Sequence, residues 1–204
     1  MKKLLLILFC LPLLFSTCKK EDEEPTNNTN NNNSGNNTNL AIGDSYQGGI
    51  IFYLDGNGGG FVAAPSDQSS GAQWGCSGTT IGAYGTAVGA GAQNTIDIEL
   101  GCTTSGTAAD ICANLTLGGY SDWFLPSKME LHLMFNNLYL YGIGDFSDNF
   151  DSQTGYEDVY YSSTEADNGN VWGFNFGEQG DPTLGNSWVG NKIQSIFVRA
   201  VRAF

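Results

Sequence analysis

Glu165, Asp167 and Asn170 fall close together in "TEADNGN", and Asp181, Asn186 and Trp188 follow in "GEQGDPTLGNSW". Carboxylates and side-chain amides hydrogen-bond to sugar hydroxyls, and an indole can cover the apolar face of a sugar ring. The expected ligand-binding set is therefore Asp167, Asn170, Asp181, Asn186 and Trp188. Glu165, Asp167 and Asn170 also offer an all-oxygen set suited to calcium, which is the one cofactor the residues suggest. Trp172, flanked by apolar residues in "VWGFNF", reads as core, and Trp188, among Gly, Asn and Ser, as surface.

Catalytic arrangements are harder to assemble. His132 is the only histidine, and it lies on a helix beside an apolar stripe with no nucleophile in view. That argues against a Ser–His triad and against an imidazole-bearing zinc site. A carboxylate pair could act on a glycosidic bond, but no two acids are marked out as such a pair. The expectation is a protein that is not an enzyme. It would recognise a glycan or protein ligand, with a structural surface component or a carbohydrate-active enzyme as the alternatives.

Cysteine usage bears on compartment. Lys2 and Lys3 followed by the apolar run Leu4 to Phe15 read as an export signal over 1–17, too short to span a ~30 Å hydrocarbon layer as a helix. Cys18 stands where a bacterial lipoprotein is processed and acylated. The acidic "KKEDEEP" that follows resembles the surface-export signal of Bacteroidota lipoproteins. These features predict an outer-membrane protein held by its lipid anchor alone, facing the exterior. In an oxidising compartment, Cys76, Cys102 and Cys112 predict one disulfide and one spare thiol. Cys102 and Cys112, close in sequence, are the expected pair, with a Cys76 to Cys102 bridge left open.

Residues 18–40 turn from acidic to Asn- and Thr-rich, have nothing apolar to bury, and read as a tether. Residues 41–204 suffice for one domain with a substantial core. Their basic residues are Lys128, Lys192, Arg199 and Arg202 against 17 acids, so this domain carries the chain's formal −13. Such a surface repels nucleic acid and anionic lipid.

The elements that must position these residues follow from local pattern. "IIFYLDGNGGGFVAA" predicts a hairpin turning at Asp55 to Gly58. Pro65 to Thr104, rich in Gly, Ser, Thr and Ala, predicts ordered loop pinned by Trp74. Thr107 and Ser127 are candidate caps of two helices, the second closed by Gly142. "VYYSSTE", "VWGFNF" and "IFVRAVRAF" predict three strands. In the last of these Arg199 and Arg202 would face opposite sides, and the inward one would need Glu165 or Asp122 as partner.

With "GYSDWFLPSKMEL", "YYSSTE", "VWGFNF" and "FVRAVRAF" in that order, residues 42–204 resemble the C-terminal domain of the Lcl collagen-like adhesin. They are more distantly similar to formylglycine-generating and C-type-lectin-like domains. The resemblance implies an α+β fold, C-type-lectin-like, with two helices packed on small antiparallel sheets and adjacent N- and C-terminal strands. Ile50 to Leu54 and Phe197 to Val201 would then be neighbours. It also implies surface adhesion. The sulfated ligands of that family require cations that this domain scarcely has.

Overall fold

The computed structural model describes residues 39–147, 158–177 and 186–204, which belong to one compact unit, Asn39–Phe204. The chain is an α+β protein with two sheets. β1 (Ser45–Tyr46), β2 (Gly49–Leu54), β3 (Gly60–Ala63) and β9 (Val201–Ala203) form the first, in the order β1-β2-β3-β9. β4 (Ser69–Ala72), β8 (Ile196–Val198), β5 (Val159–Glu165), β6 (Asn170–Asn175) and β7 (Ser187–Asn191) form the second, in the order β4-β8-β5-β6-β7. Within it β5 and β8 run parallel, so the small sheets are not wholly antiparallel as expected.

The predicted hairpin forms, with Leu54 opposite Gly60 and the Asp55 carboxylate accepting from the amides of Asn57 and Gly59. Its neighbour differs from expectation. The closing strand pairs with β3, placing Val62 opposite Arg202, and not with the Ile50 to Leu54 strand. The terminal run is also two strands. It breaks at Arg199 and Ala200 and passes from the second sheet to the first, so each half buries its own face. That break is how two arginines three residues apart are both buried.

Two helices start where their caps predict. α2 (Ala108–Ala113) begins with the Thr107 side chain accepting from the Asp110 amide, and α3 (Lys128–Asn137) with a complete Ser127–Glu130 capping box. A 3-10 turn, Tyr139–Tyr141, carries α3 on to Gly142, whose φ of 67° is the left-handed stop. A third helix, α1 (Ala90–Gly101), replaces much of the expected loop. Its buried side is mostly small or polar: Gly91, Asn94 and Thr95 face inward with Ile98, while Leu100 is 79% exposed. No side chain of its own caps it, and its first amides turn to Glu130, where Gly89 N–H donates to Oε1 at 2.7 Å. Glu130 Oε2 accepts from Ser127 N–H at 2.7 Å, so one buried carboxylate serves the N-termini of α1 and α3.

The disulfide joins Cys76 to Cys102, not Cys102 to Cys112. α1 ends at Gly101 and hands Cys102 back toward the loop after Trp74, whereas Cys112 lies on the buried side of α2 as a free thiol. Proximity in sequence misled here because α2 turns Cys112 toward the core. Two apolar clusters fill the interior. Trp74, Ile98, Trp123, Leu125 and Tyr161 belong to one, and Phe52, Leu131, Phe135, Phe174 and Phe176 to the other, beneath α3.

Candidate binding surface

Three loops meet at one end of the second sheet around a buried ion pair. Lys192 Nζ lies 2.5 Å from Glu165 Oε1, and both side chains are fully buried. The ammonium also donates to the Thr79 carbonyl at 2.9 Å and sits 4.6 Å from the centre of the Trp74 ring. The Glu165 carboxylate in turn accepts from the amides of Ile81 and Gly82. Backbone bonds extend the joint, from Gly78 N–H to the Asn168 carbonyl at 2.7 Å and from Lys192 N–H to the Gly169 carbonyl at 3.0 Å. Residues 76–82, 166–170 and 191–194 are thus tied into a single surface. Its exposed side chains are short and polar, among them Ser77, Thr79, Thr80, Asp167, Asn168 and Asn191, with Ile193 as the apolar member.

The other two buried cations also serve architecture. Arg199 Nε donates to Asp67 at 2.6 Å, while its remaining nitrogens reach the carbonyls of Ala64, Gly144 and Asp145. Arg202 pairs with Asp122 and Gln47 and covers Tyr120. Asp122 is thus the partner expected for an arginine, whereas Glu165 belongs to Lys192. Burial raises the Asp67 carboxyl above the ordinary aspartate range, with Arg199 pulling the other way.

Next to the loops, β6 and β7 expose part of one sheet face. Trp172 stands opposite Val189 and is half-buried, not the full core residue expected, and Lys128 Nζ of α3 lies 3.5 Å from its ring centre. Trp188, on the opposite face, is half-buried as well. It lies over Gly173 and Gly190, at each of which a Cβ would collide with the indole.

The expected ligand residues are only partly brought together. Asp167 and Asn170 share one turn, where the Asp167 carboxylate accepts from the amide of Gly169 and from both nitrogens of Asn170, holding its pKa below the usual carboxylate range. Asn186 precedes β7 and its carbonyl accepts from Asn175 N–H, while Trp188 covers its two glycines. Asp181 and Cys18 lie outside the described residues. In the suggested calcium set, the oxygens of Glu165 are already engaged by Lys192 and two amides. Among the described residues no group of three or more His, Cys, Asp or Glu side chains is placed to hold a metal ion. Lys192, the residue that organises this surface, was missed by sequence reasoning. Its only signal was that it is one of just four basic residues in an acidic domain. No known family profile matches the chain, and no curated protein matches it in sequence.

Proposed function

We propose that Asn39–Phe204 is the non-catalytic recognition head of a lipid-anchored surface protein, held through Cys18 and the 18–40 tether at the exterior of an outer membrane. Its finer architecture would be C-type-lectin-like, as the resemblance to the Lcl C-terminal domain implies. The return of β9 to the early hairpin and the Leu125-Pro126 lead into α3 support that reading. The ligand is a neutral glycan or a protein surface, met by the loops around Lys192.

One observation carries the proposal: the Lys192–Glu165 pair locks three loops while keeping its charges inside. What the surface then offers is hydroxyls, amides, the Asp167 carboxylate and one aliphatic side chain, the complement of a polyhydroxylated ligand. Preorganised loops lower the entropy lost on binding. No helix of the described residues is long and apolar enough to cross a membrane.

A glycan array read with the full chain, with and without calcium, tests the proposal. A neutral glycan bound by the wild type and lost on Asp167→Ala would support it. Equal signals for both proteins, or cleavage of an arrayed glycoside, would replace it with another reading.

A further inference from the structure

Three of the four cationic groups of the domain are in ion pairs, with Glu165, Asp67 and Asp122. Lys128 is the fourth, and among the described residues no carboxylate pairs with it. Its position is unfavourable for a positive charge. It is the first residue of α3, where the helix dipole is positive, and partial burial pulls its pKa below the usual lysine range. Yet the ammonium is held 3.5 Å above the Trp172 ring. The amides of the first turn are occupied, Lys128 N–H by Thr164, Met129 N–H by Thr86 and Glu130 N–H by Ser127, so the ammonium is the free donor there.

What surrounds it has the composition of a sugar site. Trp172 and Val189 are register partners on the same sheet face, and Val189 is 47% exposed. Asn170 opposite Asn191, and Phe174 opposite Ser187, flank them along the strands. His132, one turn along α3 from Lys128, meets the edge of the Phe174 ring at 5.3 Å between centres. A cation, an apolar strip and flanking amides and hydroxyls therefore line one edge of α3.

We propose that this strip, between α3 and β7, is a subsite for a single sugar acid at the end of an otherwise neutral glycan, with its carboxylate on Lys128 and its apolar ring face against Trp172 and Val189. An ammonium with no carboxylate partner among the described residues, on a domain of formal charge −13, balances one carboxylate, while the surrounding field opposes a polyanion. Flanking hydroxyl-bonding groups favour a sugar acid over an acidic peptide. This goes beyond the recognition reading, whose loops lie around Lys192.

Calorimetric titration of the full chain compares cellobiuronic acid with cellobiose and sialyllactose with lactose, so that each pair isolates the acidic group. The expected result is at least tenfold tighter binding of an acid than of its neutral parent. That preference should be lost in Lys128→Gln, kept within about threefold in Lys128→Arg, and weakened by salt. Equal binding of acids and parents, no binding of either acid, or an unchanged preference in Lys128→Gln overturns the proposal. So does tighter binding of a glutamate-terminated peptide or of heparin than of the sugar acids. The Asp167 variant probes the loop surface separately, so a failure at Lys128 leaves the recognition reading standing.

Discussion

Lys192 and Glu165 form a fully buried ion pair, 2.5 Å between Nζ and Oε1, that bolts the turn after β7 to the end of β5 and to the loop at Thr79 to Gly82. Removing one member leaves the other as an uncompensated charge in a dry site. Lys192→Met should cost roughly 3–5 kcal/mol, measured by urea unfolding. The amides of Ile81 and Gly82 should also exchange faster, because their acceptor moves. A loss below about 1 kcal/mol would mean that water reaches the pair and that it does not organise the loops.

Acid should stabilise the domain. Burial raises the Glu130 carboxyl, against the pull of amides at Ser127, Gly89 and Gly91, and burial likewise raises Asp67. Folded pKa values above the unfolded ones mean tighter proton binding in the folded state. The stabilisation is then complete below the unfolded values, near about 4, and is lost as pH rises through the folded ones. The melting temperature is expected to fall as pH rises above the unfolded carboxylate values, with a shallower slope in Glu130→Gln. Identical slopes for the two proteins would sink this assignment.

Reduction should release the segment between Cys76 and Cys102, which lie 26 residues apart. Loop-closure entropy puts the loss for a Cys76→Ser, Cys102→Ser double variant at roughly 3 kcal/mol. Burial raises the Cys112 thiol well above its usual range, with Glu99 adding to the shift, so iodoacetamide should spare it in the native protein and modify it after unfolding. Rapid native alkylation of Cys112, or a tryptic peptide linking Cys102 to Cys112, would contradict the arrangement.

Gly190 supports Trp188 by having no side chain. A Cβ there would stand 1.9 Å from the indole, inside any tolerable contact, so Gly190→Ala must push the ring outward. The cost expected of such overpacking is about 1–3 kcal/mol, with a red-shifted tryptophan emission. Unchanged emission and stability would show that the indole does not rest on the glycine.

Local chemistry was legible in residues 107–142 and in the first hairpin. Thr107, Ser127 with Glu130, the Asp55 turn and Gly142 act on backbone groups a few residues away, so their types and spacing sufficed. α1 was not legible, because its polar side faces inward and its N-terminal amide is met by Glu130, 41 residues on. The disulfide escaped for a related reason: α2 rotates the nearer cysteine into the core. Neither could the chain alone reveal that the final arginine run changes sheets, or that Lys192 would find Glu165. Periodicity and capping depend on neighbours along the chain, and the sequence determines them. Which distant carboxylate meets which cation, and which polar face turns inward, depends on how the sheets and helices pack, and tertiary structure decided it.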